Sequence, residues 1–420
     1  LNWPRGVNQN PLQFIKRPYD AKAKNFIANA IIGYELLPGL DIKASFGYTD
    51  APRDELSKTP VSSLVPSIQQ VAQNNSQFGN SATASWIVEP QITYNRKFRK
   101  HAFNVLVGST FQEENFESLY QSASGFTTEA LMNNISAVPS ANVTSTYTNT
   151  KYRYNAIFGR IGYQYSGKYL LNLTGRRDGS SRFGPNRQFA NFGSVGAAWI
   201  FSSEELVKNN FQNILSFGKL RASYGLTGSD QVTNYGFLDL YTPTTTYQGL
   251  TGLGPKQLYN PDYGWEVNKK IEVALELGFL RDRILFTSAY YHNRASNQLV
   301  GYPLPPTAGF PTVQYNLDAI VQNSGVELEI SSKNISSSHM NWTSSFNMSI
   351  PKNRLVSYPN LAGSSYANMY VVGQPLAINK VYSLIGVNSQ TGLYEVVDVD
   401  KNGVYNTSDF QSIKFVGIHF

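Results

Sequence analysis

The feature that most constrains this chain is an alternation of apolar and polar residues that recurs along its length. In residues 341–350, Asn341, Thr343, Ser345, Asn347 and Ser349 fall on one side, and Trp342, Phe346, Met348 and Ile350 on the other, with Ser344 among them. Side chains on a strand point alternately to opposite faces, so this stretch reads as a strand with one wetted face and one apolar face. The same pattern places Leu40, Ile42, Ala44, Phe46 and Tyr48 opposite Asp41, Lys43 and Ser45. It places Ile271, Val273, Leu275, Leu277 and Phe279 opposite Lys270, Glu272 and Glu276, and Val326, Leu328 and Ile330 opposite Glu327 and Glu329. Residues 81–95 alternate with one interruption at Ile87. Weaker alternation marks 24–34, 101–113, 151–165, 169–178, 189–201, 218–227 and 284–299.

These strands run roughly 10–15 residues, against about 5 or 6 in soluble proteins and about 9–11 for a tilted membrane-crossing strand. Their connections alternate in length. LLPG, RKFRK, SGK and RDR are short, whereas the segments near 50–80, 114–150, 228–264, 300–319 and from 351 onward are long. The 178–188 loop is longer than the short turns, 331–340 is moderate, and the 202–217 link fits the alternation least well. Short turns at one rim and long loops at the other describe an outer-membrane barrel. A soluble sandwich need not alternate its loop lengths, and a solenoid would show a fixed repeat, which is absent. The reading is all-β: part of a large antiparallel up-and-down transmembrane β-barrel, with about 12 or more strands in this chain by the pattern count. The apolar faces then meet the lipid bilayer, and the charged side chains face the lumen, because Lys or Arg in mid-bilayer costs about 2–4 kcal/mol.

Composition supports this reading. Charged residues make up only 15% of the 420 residues and aromatics 13%, so small neutral side chains supply the polarity. No apolar run reaches the length of a membrane-spanning helix, which excludes only helical membrane proteins. There is no Cys, which rules out disulfide scaffolds and Cys metal sites. The net charge of +7 comes from scattered Lys and Arg without a basic stripe, so no nucleic acid is expected as a partner. The start LNWPRG and the end VGIHF lead to the expectation of an internal piece of a longer protein.

Several stretches carry a family resemblance: GRRDGSSRFGPNRQF (175–189), KLRASYGLTGSDQ (219–231), NPDYGWE (260–266), NSGVELE (323–329) and VGQPL (372–376). Taken in this order they resemble the SusC/RagA-type TonB-dependent outer-membrane transporters of Bacteroidota. The resemblance implies a parent barrel of about 22 strands with a plugged lumen. It implies a plug moved by the TonB complex, and a SusD-like surface lipoprotein that helps capture glycans or peptides. On this reading residues 1–420 are a partial barrel domain in the bacterial outer membrane, without the plug and the terminal strands. Residues 351–420 form a long extracellular loop region. The expected function is energy-dependent import of an oligosaccharide or peptide substrate, with a passive porin or adhesin barrel as the alternative. A soluble carbohydrate-binding β-protein is the third reading.

No catalytic site is expected. His101, His292, His339 and His419 are scattered, and none sits in a hydrolase or phosphate-binding motif. The acid pairs Glu327/Glu329 and Glu113/Glu114 read as lumen polarity. The one sharp motif is DVDKNGVYNTSD, 398–409. An EF-hand-type Ca²⁺ loop places oxygens at positions 1, 3, 5, 7, 9 and 12, with Gly at 6. Here these are Asp398, Asp400, Asn402, the Val404 carbonyl, Asn406 and Asp409, with Gly403 at the turn. Asp replaces the usual Glu at the last position, and the alternative is an Asx-rich turn that bonds its own backbone. No other cofactor is expected. Substrate contacts are assigned to no residue. Tyr235, Tyr241, Tyr247, Tyr263 and Trp265 lie in or near one long loop where sugar stacking and packing are both open. Asn172, Asn341 and Asn347 match glycosylation sequons inside strands, and Arg96, Lys97, Arg99 and Lys100 sit in a short turn.

Overall fold

A computed structural model describes residues 11–211, 213–248 and 250–414; His419 and both chain ends lie outside them. In chain order the strands are β1 (Tyr19–Ala23), β2 (Phe26–Leu37), β3 (Leu40–Thr59), β4 (Asn74–Phe98), β5 (His101–Phe126), β6 (Val143–Tyr165), β7 (Tyr169–Ser180), β8 (Phe189–Trp199) and β9 (Leu215–Ser229). They continue with β10 (Leu240–Tyr247), β11 (Leu250–Gln257), β12 (Glu266–Phe279), β13 (Ile284–Ser296), β14 (Gln298–Pro303), β15 (Thr312–Leu317), β16 (Ile320–Ser336) and β17 (Asn341–Ser357). Four short strands follow: β18 (Ile378–Val381), β19 (Leu384–Val387), β20 (Tyr394–Val396) and β21 (Gln411–Lys414). Thirteen of them share one sheet in the order β1-β3-β4-β5-β6-β7-β8-β9-β12-β13-β16-β17, with β2 paired to β3. From β3 onward, each strand of this sheet lies beside the sheet's next strand in chain order, which makes the meander that the alternating loop lengths predict.

Two compact units are distinguished: Leu1–Leu36, Ile42–Gln91 and Ser109–Asn155 in the first, and Leu37–Asp41, Ile92–Gly108 and Ala156–Phe420 in the second. In the first, the segment after β5 folds back as short 3-10 turns. Met132 and Val138 bury themselves against Ala123 and Phe126, and Ser76 donates to the Met132 carbonyl at 2.8 Å. Glu113 pairs with Lys151 at 3.2 Å and Arg153 at 2.7 Å.

The second unit shows the face pattern through its antiparallel register. Val273 stands opposite Ala222 on β9 and Tyr290 on β13; Tyr290 stands opposite Val326, and Val326 opposite Ile350. On the opposite face, Glu276 stands opposite Lys219 and Thr287, Thr287 opposite Glu329, and Glu329 opposite Asn347. Each face is therefore of one kind across five strands. The apolar one is left uncovered, with Phe346 57% and Ile350 58% exposed. From Ile271 to Phe279 it runs ~27 Å along β12, which at a tilt of about 40° covers roughly 20 Å of an apolar band about 25 Å tall. An uncovered apolar surface this continuous belongs against lipid. At the short-turn end it finishes in aromatic side chains: Tyr165, Tyr169, Trp199 and Trp342.

Several expectations need correction. Strands do not stop at 10–15 residues: β4 has 25, β5 has 26 and β6 has 23. The 331–340 connection is a tight turn, since β16 runs to Ser336 and β17 starts at Asn341. Two of the long loops contain hairpins, β10–β11 and β14–β15. The ill-fitting link after β8 carries a seven-residue helix, Glu205–Phe211.

That link is tied to the neighbouring turn by Glu204, which accepts hydrogen bonds from Lys168 Nζ at 2.8 Å, Tyr169 Oη at 2.7 Å and Trp199 Nε1 at 3.1 Å. Lys168 first, then Tyr169 and Trp199, hold its carboxyl at about 2 instead of the usual 4.5. A carboxylate lowered on folding stabilises the fold above its unfolded pKa, and the contribution is lost as pH falls through the folded value. The fluorescence component absent from a Trp199→Phe variant should therefore titrate with a midpoint near 2. A midpoint near 4.5 would contradict the tie.

Candidate lumenal wall and acidic loop

The polar face of β9, β12, β13, β16 and β17 carries a charge network. Lys219 Nζ lies 3.2 Å from Glu276, Arg221 Nε lies 2.8 Å from Glu276, and Arg221 also pairs with Glu272. Glu327 and Glu329 follow on the adjacent strand pair, opposite Ala289 and Thr287. Arg221, Glu272, Glu327 and Glu329 line a shallow concavity with Asn347 and Ser349. A guanidinium between two carboxylates is a fixed pair, while the acids beside it keep free oxygens for water or a polar solute. Lys219 and Arg221 enter the sequence reading only within the stretch 219–231, with no role assigned to either. KLRASYG alternates visibly, but the partner strand that brings in Glu272 and Glu276 is fixed only by long-range register.

The acidic loop brings the three aspartates of its six predicted ligands together. Carboxylate oxygens of Asp398, Asp400 and Asp409 lie within 4.8 Å of one another. Two oxygens bound to one Ca²⁺ at 2.3–2.6 Å stand at most about 5 Å apart, so the three fit around one ion. Asp398 accepts from the Asn402 and Gly403 N–H groups at 3.3 and 2.7 Å, and Asp400 accepts from the Asn402 N–H at 3.2 Å. The Gly403 N–H is the largest of the influences that hold the Asp398 carboxyl below its usual range. Gly403 has φ +79°, the left-handed turn that its position demands. Asn402 Oδ1 accepts from the Val404 N–H at 2.7 Å, and Asn406 Nδ2 donates to the Val404 carbonyl at 3.3 Å. Asp409, fully buried, closes the loop: its oxygens accept from the Val399 and Asn406 N–H groups at 2.8 and 2.9 Å, and Asn406 caps the turn that contains it. The Asx turns of the bland alternative are thus present together with the convergent carboxylates.

The other singled-out residues scatter. Tyr263 and Trp265 are buried, at 1% and 7% exposure, among Phe183 and Phe192, so they pack the long loop and offer no open ring. Tyr241 and Tyr247 are exposed on the β10–β11 hairpin. Asn172, Asn341 and Asn347 lie within β7 and β17. His101 bonds Tyr163 Oη at 2.8 Å, and His292 stands opposite Ile271.

Three comparisons complete the description. The model of the family described as "TonB dependent receptor-like, beta-barrel" matches residues 2–409. TonB-dependent receptor P39 of Formosa agariphila is 32% identical over 66% of this chain and 28% of its own length. TonB-dependent receptor SusC of Bacteroides thetaiotaomicron is 26% identical over 86% of this chain and 36% of its own length. The chain thus spans about a third of these curated relatives. In fold it resembles the solved structure of the RagAB peptide transporter, with TM-score 0.83 and 22% identity, over 98% of this chain and 47% of that one.

Proposed function

We propose an importer on one premise: the chain belongs to the TonB-dependent receptor β-barrel family, of the SusC/RagA type, and it forms wall of an outer-membrane barrel. The parent protein draws a polar solute, an oligosaccharide or a peptide, through its lumen with energy delivered by the TonB complex, and a SusD-like lipoprotein assists at the cell surface. The observation that carries this reading is the polar face from β9 to β17, with its carboxylates and amides in register beside the Lys219–Arg221–Glu272–Glu276 network. Such a wall hydrogen-bonds solutes and excludes lipid. The test is uptake of labelled oligosaccharides and peptides by the native host with the gene intact, with the gene deleted, and with TonB inactivated. Loss of uptake in both mutants supports the reading. Uptake that needs the gene but not TonB would make the barrel a passive pore.

The acidic loop serves this function by ordering the segment after β17. We infer that Asp398, Asp400, Asn402, the Val404 carbonyl, Asn406 and Asp409 hold one structural Ca²⁺. Calorimetry on the full-length protein should show one site of the extracellular class, with Kd about 10⁻⁴–10⁻³ M, abolished in Asp398→Ala. Absence of Ca²⁺ uptake, with Asp398→Ala behaving as the parent, would leave only the Asx-rich turn.

A further inference from the structure

The turn between β4 and β5 is two residues long, and nothing described so far accounts for its composition. Arg96, Arg99 and Lys100 are concentrated there, and none has an ion-pair or side-chain hydrogen-bond partner among the described residues. Elsewhere on this rim Lys168 is held by Glu204 and Arg283 by the carbonyls of Lys333 and Asn334, while Arg281 is single and not part of a basic cluster. Arg99 adopts φ +52°, a left-handed conformation that Ser166, Leu280, Arg281 and Asp282 share in the other short turns of this rim. A non-glycine residue in that region carries strain, so the local fold would favour Gly or Asn here.

What lies beside the turn is interfacial. The Ser166 N–H donates to the Lys100 carbonyl at 2.7 Å, which joins this turn to the next. Immediately inside them, His101 packs on Tyr165 at 5.0 Å between ring centres, and Phe103 packs on Tyr163 at 4.9 Å. Phe98 is exposed, with the Arg99 guanidinium 5.3 Å from its ring centre. Tyr-rich belts sit at headgroup depth, and cations just beyond such a belt reach the phosphates. Alternation puts Arg96 on the face of the exposed Tyr94 and Phe98, whereas Lys97 falls on the face of Asn95.

We propose that Arg96, Arg99 and Lys100 form a binding site for the anionic headgroup of a phospholipid in the leaflet that faces the short turns. The lipid's phosphates engage the three cations, and its acyl chains lie along the apolar face beside the Tyr163–Phe103 patch. Each cation near an anionic membrane surface contributes roughly a fivefold gain in affinity.

The test is native mass spectrometry of the full-length protein released from nanodiscs that hold equal phosphatidylglycerol and phosphatidylcholine. The wild type should retain phosphatidylglycerol preferentially. Arg99→Gly, which relieves the positive φ and so favours folding, should lower that preference about fivefold. Arg96→Ala combined with Arg99→Gly and Lys100→Ala should abolish it, and Lys97→Ala should leave it unchanged. Soluble glycerol phosphate should not displace the lipid. Equal retention of the two lipids by the wild type, or a triple variant with full preference, would overturn the proposal. Displacement by glycerol phosphate would also overturn it, by making this a site for free phosphate.

Discussion

Val273→Arg in the full-length protein should lower the stability of the barrel by about 2–4 kcal/mol when unfolding is measured in lipid vesicles. Val273 lies within the uncovered apolar band, 41% exposed, with Ala222 and Tyr290 across the strands on either side. An arginine there has no water and no acid on its own face, so its guanidinium must stretch toward a headgroup or be desolvated. The informative companion is Thr287→Arg. Thr287 sits on the opposite face between Glu276 and Glu329, where a new cation meets carboxylates and water, and stability should change by less than about 1 kcal/mol. The contrast between the two variants separates sidedness from a general intolerance of arginine in the sheet. Similar losses at both positions would mean that the two faces do not meet different media.

Trp265→Ala should release about 3–5 kcal/mol of packing at the long-loop end. Its indole lies 4.8 Å from the Phe183 ring and 5.5 Å from Phe192 between centres, and its Nε1 donates to the Gln188 carbonyl at 3.0 Å. Tyr263 and Phe183 complete the cluster, so truncation leaves a cavity that rigid strand ends cannot collapse into. The loss should be regional. Hydrogen exchange in 181–188 and 258–265 should accelerate by two orders of magnitude or more, while the amides of β12 and β13 that face the bilayer keep their protection. Uniform acceleration across the sheet would show that this cluster stabilises the whole barrel, contrary to its place in the loops.

The faces were legible in the sequence because alternation is a consequence of strand geometry wherever two sides meet different media. Val273 and Glu272 had to diverge once the segment was extended. Strand ends were not legible for the same reason. Beyond the bilayer the strand no longer divides lipid from water, and Ala123 is covered by the following loop, so residues 112–125 of β5 continue as strand with no alternating pattern to reveal it. The hairpin β10–β11 was hidden by Pro243 and Pro255, which a two-stranded ribbon tolerates because each strand has a free edge. In the acidic loop, ligand spacing is a local property, and the residues read as Asp398, Asp400 and Asp409 do converge. Lys219 and Arg221 escaped notice because their partners are more than fifty residues away. For Tyr263 and Trp265 stacking and packing stayed open, since composition does not distinguish a buried loop aromatic from an exposed one.

The most direct test of the two-faced wall uses the absence of cysteine from this chain. Single cysteines placed at each position from 271 to 277 of the full-length protein would carry nitroxide labels in lipid vesicles. The account predicts that labels at 271, 273, 275 and 277 collide with dissolved oxygen, whereas those at 272, 274 and 276 collide with a water-soluble nickel chelate. Accessibility that varies smoothly along the strand, or that alternates with the opposite phase, would contradict it.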